Sequence, residues 1–157
     1  ARKLLDASNS IGGTASGWKP FESARIEAGI PRFGADMDET NIPIECGIES
    51  RALSYNKGCY IGQEVLNRIH TLGHVNKILR GLRLADDLKN LPVKGDKLFH
   101  DGKEVGYVTS AAVSRKVTGN IALGYIRREV HQNGTQLLLR SQDKETVPTV
   151  VETPFTI

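Results

Sequence analysis

The chain has few cysteines, few aromatic residues and no long apolar run. Its two cysteines, Cys46 and Cys59, form no CxxC pair, which excludes the disulfide scaffold of small secreted domains and indicates a reducing, cytoplasmic compartment. No apolar run approaches the roughly 18 residues that cross a bilayer, so we expect no membrane association. The first residues, ARKLLDASNS, contain neither an initiator methionine nor a signal-peptide core, and we expect an upstream part of the protein to be missing.

The charge is balanced, with a net charge of +3. The sequence shows no concentrated basic face, so we expect no direct nucleic-acid binding. Between Val65 and Ala85, however, there is no acidic residue. The basic residues of this segment are Arg68, His70, His74, Lys77, Arg80 and Arg83. They form either a solvated face or a local patch for an anionic ligand or partner. We expect no metal site at His70 and His74, because Gly73 ends the helix between them.

The pattern of the chain changes near residue 75, which predicts two parts, 1–75 and 76–157. In the first part we predict a short helix from Pro20 to a stop at Gly29, followed by a long structured loop. The acidic run Asp36–Glu39 within that loop is interpreted as a solvated turn. A second helix follows, with a buried stripe and a stop at Gly73. The stripe consists of Ile61, Val65, Leu66, Ile69 and Leu72.

From Val75 onwards the apolar residues alternate with period two, as in β-strands. Asp101-Gly102 lies between two strand-like runs and predicts a hairpin, and Asn133-Gly134 predicts a second turn. The run NIALGYIRREV predicts a strand that is covered on both sides, and TVPTVVETPF predicts a last strand interrupted by prolines. Five or six short strands at this spacing indicate a small antiparallel barrel or sandwich.

The densest group of candidate functional residues is KGCYIGQE, Lys57 to Glu64. A helix beginning around Gly58 to Tyr60 would place Cys59 in its first turn, where the helix dipole and Lys57 favour a thiolate. Gly58 and Gly62 would leave room for a ligand, and Gln63 and Glu64 would bind that ligand or cap the helix. The alternative is that Cys59 is a small buried side chain and that the glycines serve tight packing.

Glu27, in ARIEAGIPRFG, is the second candidate. A carboxylate at the end of a helix suits a planar ring with adjacent N–H donors, because its two oxygens accept a pair of hydrogen bonds. The alternative is an exposed helix glutamate that pairs with Arg25 or Lys19.

The two motifs together resemble the YgfZ-type folate-binding proteins, which are relatives of the glycine cleavage T-protein (aminomethyltransferase). The K-G-C-Y-x-G-Q-E signature is specific to the YgfZ branch, whereas R-I-E-A-G-x-P-x-x-G, Arg25 to Gly34, is shared across the superfamily. T-proteins usually have an acidic residue in place of Cys59 and often have Tyr in place of Phe33. The resemblance covers the whole chain but only the C-terminal half of such a protein.

The resemblance implies an α+β protein in which the end of a T-protein-like folate-binding domain precedes a C-terminal antiparallel β-barrel. It implies that Glu27 contacts the pterin of tetrahydrofolate or a derivative. It also implies that the folate cofactor is bound by further residues of the signature, namely Lys57, Gly58, Tyr60, Gly62, Gln63 and Glu64. Finally, it implies an accessory protein that supports iron–sulfur cluster assembly or repair in client enzymes, including a tRNA-modifying enzyme. In that protein Cys59 would be the catalytic residue, a reactive or cluster-handling thiol that serves iron–sulfur enzymes or cluster-assembly proteins. The alternative function is aminomethyl transfer to tetrahydrofolate.

Overall fold

The computed structural model describes residues 1–86, 88, 90–141 and 144–156. Five residues of the predicted second part therefore lie outside the described residues: Asp87, Lys89, Gln142, Asp143 and Ile157. The helices are α1 (Arg2–Ser10), α2 (Trp18–Glu27), α3 (Glu49–Ala52) and α4 (Gln63–Leu72). The strands are β1 (Lys77–Arg83), β2 (Lys97–His100), β3 (Lys103–Ser114), β4 (Gly119–Arg127), β5 (Leu138–Ser141), β6 (Lys144–Thr146) and β7 (Thr149–Val151). A short 3-10 helix, Arg128–Val130, follows β4. None of the described helices combines the length and the apolar character needed to cross a bilayer.

The seven strands form one antiparallel sheet in the order β6-β5-β2-β3-β4-β1-β7. The sheet curls until the segment before β5 meets β7. There the Gly134 N–H donates to the Val150 carbonyl at 2.8 Å and the Leu137 N–H donates to the Pro148 carbonyl at 3.0 Å. The antiparallel sheet predicted from the sequence is therefore confirmed as a curled half-barrel.

Turn residues fix the register of the first hairpin. Asp101 and Gly102 both have positive φ, 49° and 76°, as a tight two-residue turn requires, and His100 pairs with Lys103 across it. Pro148 lies between β6 and β7. Because proline has no N–H to donate to a β-ladder, the predicted interrupted strand is divided into two strands.

Strand β4 is buried on both of its faces, as predicted. Ala122 and Ile126 face the interior of the half-barrel and pack with Leu82, Leu98 and Val108. The alternate residues form a second cluster on the other face, where α2 and the loop after it cover the sheet. That cluster contains Ile26, Cys46, Leu79, Ile121, Leu123, Tyr125 and Phe155. The two clusters explain why β4 has no polar alternation along its length.

Helix α2 ends as the sequence predicts, and Gly29 has φ of 65° directly after it. Pro20 is tolerated because it lies in the first turn, where backbone N–H groups have no helical partner.

The predicted start of α4 is wrong. Gly62 has φ of 87° and is the N-cap, and this left-handed conformation cannot continue a right-handed helix, so α4 begins at Gln63. Its end at Gly73 is confirmed.

The predicted buried stripe on α4 is also largely wrong. Leu66 is buried and Ile69 is half-buried, but Ile61, Val65 and Leu72 are exposed. The spacing is helical, yet no described element packs over these three side chains.

Candidate functional site

The C-terminal end of α2 is fixed against the sheet at Glu27. The half-buried Glu27 carboxylate accepts a hydrogen bond from the Ser114 hydroxyl at 2.6 Å, and its backbone carbonyl accepts one from the Phe155 N–H at 2.8 Å. The predicted alternative, an exposed glutamate paired with Arg25 or Lys19, is wrong, because Glu27 is half-buried and its described side-chain partner is Ser114. Glu27 is therefore presented by the helix and held by the sheet.

A close approach after Glu27 reinforces this docking. Gly29 lies directly against Thr153, and a Cβ atom at Gly29 would overlap the Thr153 side chain. The positive φ of Gly29 and this contact both require glycine. The turn that follows Glu27 is thus fixed by the segment after β7.

A buried ion pair between Arg25 and Asp36 corrects the interpretation of Asp36 as part of a solvated turn. Arg25 and Asp36 are 5% and 3% exposed, and the Arg25 guanidinium pairs with the Asp36 carboxylate. Thr109 on β3 donates to the same carboxylate at 2.6 Å, and the Arg32 N–H donates to it at 3.0 Å. Asp36 is buried because it neutralises Arg25, a partner that is eleven residues away and invisible to local pattern.

Arg25 connects this pair to the surface and to the sheet. It donates to Glu22, one helical turn earlier, at 2.6 Å, and this hydrogen bond lowers the pKa of Glu22. It also donates to the Ser110 hydroxyl on β3 at 2.7 Å. The sequence signal that points to Arg25 is its i,i+3 spacing from Glu22. These contacts dock α2 against β3 and against the loop that follows the helix.

Cys59 lies in an irregular segment and its thiol is exposed. The predicted position in the first turn of α4 is wrong, since the helix begins four residues later, and the dipole argument for a thiolate fails with it. The alternative of a buried filler is also wrong. Cys59 is an accessible free thiol, whereas Cys46 is buried against Tyr125, with 3.2 Å between its sulfur and the tyrosine oxygen.

The other residues of the signature surround Cys59 without packing tightly. A Cβ at Gly58 or Gly62 would meet no atom within 4 Å, so tight packing does not explain these glycines. The Lys57 ammonium lies 4.8 Å from the centre of the Tyr60 ring. The Tyr60 hydroxyl is buried and has no hydrogen-bond partner among the described residues.

Gln63 and Glu64 lie at the start of α4 and line a shallow cleft of about 600 Å³ along that helix. The N-terminus of α4 has no side-chain capping hydrogen bond among the described residues, so the capping role considered for Gln63 and Glu64 is not observed. No hydrogen bond or ion pair in the described part of the chain joins Glu27 to the Cys59 segment.

The basic residues of the 65–85 segment have different neighbours. His70 contacts Glu49 at 3.0 Å, Lys77 lies 3.9 Å from Glu45, and Arg83 donates to the Val117 carbonyl at 2.8 Å. His70 and His74 line one cleft of about 250 Å³ together with Arg128 and His131. Among the described residues no group of three or more His, Cys, Asp or Glu side chains is arranged to hold a metal ion.

The fold of the chain is shared with a solved protein structure. The chain is similar to a crystal structure of the glycine cleavage system aminomethyltransferase T from Bartonella henselae, with a TM-score of 0.73 and 24% identity. This similarity covers 86% of the present chain and 37% of that chain, and at this identity it concerns the fold alone. Residues 77–156 match the family model of the glycine cleavage T-protein C-terminal barrel domain. The chain therefore belongs to the T-protein-like family that carries this barrel domain.

Curated relatives agree with this family. An aminomethyltransferase of Halalkalibacterium halodurans is 29% identical over 98% of this chain, and one of Lysinibacillus sphaericus is 31% identical over the same share. One of Thermosipho melanesiensis is 34% identical over 83% of the chain. The chain spans 41% of the length of the first two relatives and 34% of the third. The relatives support a T-protein-like protein, and the finer YgfZ-type assignment stays a prediction.

Proposed function

We propose that this chain forms part of a tetrahydrofolate-binding protein in which Glu27 recognises the pterin ring. The observation that carries the proposal is the half-buried Glu27 carboxylate, which Ser114 holds through one oxygen at 2.6 Å. A carboxylate has about four lone-pair sites, so one hydrogen bond from Ser114 leaves acceptors on both oxygens. A pterin presents two adjacent N–H donors along one edge, and this donor pair matches the remaining acceptors. The residues present therefore fit the ligand.

Aminomethyl transfer is the activity that we propose first, because the family and the names of the relatives support it. Tetrahydrofolate, when bound, supplies the nitrogen atoms that accept the one-carbon unit. The described chain would contribute recognition: Glu27 binds the pterin edge, and the Arg25–Asp36 pair keeps α2 in place. Both contributions are orientation effects, which raise the rate by fixing the acceptor before the reaction.

The test is titration of tetrahydrofolate into the full-length protein, under anaerobic conditions, by isothermal titration calorimetry. We expect Glu27→Ala to weaken binding by about 100-fold, because two hydrogen bonds to a charged acceptor are lost. Glu129→Ala is the matched control, since Glu129 is an exposed carboxylate beyond β4, and its Kd should equal that of the wild type. Absence of binding in the wild type would contradict the proposal and favour a scaffold that has lost its ligand.

The second candidate function is a folate-dependent accessory role for iron–sulfur enzymes or cluster-assembly proteins. The observation that favours it is the exposed free thiol of Cys59 within KGCYIGQE, in the position where T-proteins usually have an acidic residue. An accessible thiol is suited to thiol–disulfide exchange with a partner protein. It has no evident task in transferring a one-carbon unit.

Two measurements separate these functions. Full-length Cys59→Ala should fail to restore iron–sulfur enzyme activities in a strain that depends on the protein, while Cys46→Ala, at the buried thiol, serves as the matched control. If Cys59→Ala restores those activities fully, the accessory role of the thiol is wrong. Aminomethyltransferase turnover that is unchanged by Cys59→Ala would favour the first function.

A further inference from the structure

We infer that Ser114 is a positioning residue for folate recognition, which orients the Glu27 carboxylate from the half-barrel side. This inference rests on the proposed role of Glu27 and extends it to a residue of the barrel domain. The barrel would then take part in ligand specificity, although the pterin-reading side chain lies on α2.

The geometry around the Ser114 hydroxyl fixes the direction of its single proton. Its oxygen accepts a hydrogen bond from the Val117 N–H at 3.1 Å, and its proton is donated to Glu27 at 2.6 Å. Ser114 is 2% exposed, so water does not compete for this proton. A short bond to a charged acceptor is among the stronger hydrogen bonds in proteins. It holds the carboxylate in one rotamer before a ligand arrives.

The backbone of Glu27 is held by the segment that follows β7. The Phe155 N–H donates to the Glu27 carbonyl at 2.8 Å, and Gly29 packs directly against Thr153. The barrel domain thus fixes the position of both ends of the Glu27 side chain. Phe155 and Thr153 fix the Cα, and Ser114 fixes the carboxylate. Only the remaining carboxylate acceptors are left to meet a ligand.

Ser110 distinguishes this role from general docking of the helix. It lies four residues before Ser114 on β3 and accepts a hydrogen bond from Arg25 at 2.7 Å. Ser110 therefore also joins α2 to the sheet through a serine hydroxyl, but it does not bond Glu27. Loss of Ser110 should loosen α2, whereas loss of Ser114 should release the carboxylate itself.

The experiment compares Ser114→Ala and Ser110→Ala in the full-length protein by anaerobic calorimetry with tetrahydrofolate, together with the melting temperature of each. We expect Ser114→Ala to weaken binding about fivefold, because the ligand must then immobilise one flexible side chain. We expect Ser110→Ala to lower the melting temperature and to change Kd by less than about twofold, since Arg25 keeps Glu22 and Asp36 as partners and Glu27 keeps Ser114. If Ser114→Ala does not fold, Ser114→Cys, with its weaker donor, should show a smaller loss of the same kind.

Two further readouts respond to orientation and not to stability. An analogue with a methyl group in place of the pterin 2-amino group lacks one donor to Glu27, so Ser114→Ala should reduce the preference for tetrahydrofolate over this analogue. In a Glu27→Ala background, Ser114→Ala should leave Kd unchanged, because the group through which it acts is gone.

The outcomes separate the two proposals. If Glu27→Ala weakens binding but Ser114→Ala retains both the wild-type Kd and the wild-type preference, only the role of Ser114 is overturned. Equal weakening by Ser114→Ala with and without Glu27 would also overturn it, since a structural effect would remain. If the wild type binds no tetrahydrofolate, the function proposed for Glu27 fails and the role of Ser114 fails with it.

Discussion

The residues before Lys77 and the sheet after it use their apolar side chains in opposite ways. Of the described apolar residues that are buried, only Ile26, Cys46 and Leu66 precede Lys77, and the others belong to the sheet region. The large exposed apolar side chains show the reverse distribution. They include Leu4, Ile11, Trp18, Phe21, Phe33, Ile61, Val65 and Leu72, whereas the sheet region exposes Val93, Val113 and Val147.

This difference shows which part carries the fold and which part depends on it. The curled sheet supplies its own interior cluster, whereas α2 and the following loop are ordered by contacts to the outer face of β3 and β4. The candidate recognition residue Glu27 lies on the dependent part, at the point where the sheet holds it most closely. The contacts of α2 and the loop after it with β3 and β4 form a junction, and this junction fixes the orientation of Glu27. Substitutions at the junction should therefore differ in their effects from substitutions elsewhere.

The largest effect is expected at the buried ion pair of the junction. Asp36→Ala should lower the free energy of unfolding by about 3–5 kcal/mol, because it leaves the Arg25 guanidinium buried without its counter-charge. Urea denaturation of the full-length protein measures this loss. Asp38→Ala is the control, since Asp38 is exposed and bonds within its own turn to Thr40, and it should change stability little. Equal losses for Asp36→Ala and Asp38→Ala would mean that the pair does not join the regions.

A core substitution tests the division of apolar side chains directly. Leu82→Ala, at a fully buried position inside the half-barrel, should cost about 2–5 kcal/mol through lost contacts and a cavity. Ile61→Ala, at a fully exposed position before α4, should stay within about 0.5 kcal/mol. Chemical denaturation of both variants gives the comparison. A loss of more than 2 kcal/mol for Ile61→Ala would show that another part of the full-length protein covers this segment.

The pH dependence of stability tests the buried thiol at the junction. Burial raises the pKa of Cys46 in the folded state above its ordinary value near 9, mainly because the thiolate is desolvated. Above about pH 8.5 the unfolded state therefore holds fewer protons than the folded state, and the stability should fall by at most about 1.4 kcal/mol per pH unit. This contribution is fully present below the unfolded pKa and is lost as the pH rises through the folded one. Denaturation midpoints between about pH 8 and 10 measure the slope.

Two cysteine variants make that measurement specific. Cys46→Ala should flatten the slope, and Cys59→Ala, at the exposed thiol, should leave it as in the wild type. An unchanged slope in Cys46→Ala would show that another group titrates.

The smallest effect is expected at a surface ion pair of the sheet. Lys97 and Glu104 approach to 2.7 Å, but both side chains are about half exposed. Glu104→Gln should therefore cost less than about 1 kcal/mol, and added salt should remove most of the difference. Denaturation at low and high salt checks this. A salt-independent loss as large as that of Asp36→Ala would contradict the distinction between the surface of the sheet and the junction.

The features that the sequence predicted correctly depend on neighbouring residues. Asp101-Gly102 predicts its hairpin because two adjacent residues with positive φ favour a tight turn. Gly29 marks the end of α2 through its left-handed backbone conformation, whereas Gly73 is the extended C-cap residue of α4. The period-two alternation from Val75 onwards predicts the sheet for the same local reason.

Apart from the start of α4, which the conformation of Gly62 sets locally, the errors concern residues whose state depends on distant partners. Asp36 resembles a solvated acidic residue in the sequence, yet Arg25 and Thr109 make it a buried one. Val65 and Leu72 have the spacing of a buried stripe, but helical spacing cannot supply an element to cover them. Glu27 was predicted as a site residue, whereas Ser114, its partner from β3, was not predicted, because 87 residues separate the two.

By itself the sequence determined the antiparallel barrel class, the C-terminal ends of α2 and α4, and the two motifs that include Glu27 and Cys59. These features rest on backbone preferences and periodicity, which act over a few residues. The tertiary structure alone decided that Asp36 is buried, that Cys59 is exposed and that Ser114 holds Glu27. The reason is that burial and charge pairing arise only when α2, the following loop and β3 meet, and hydrogen-bonding partners far apart in the chain leave no local pattern.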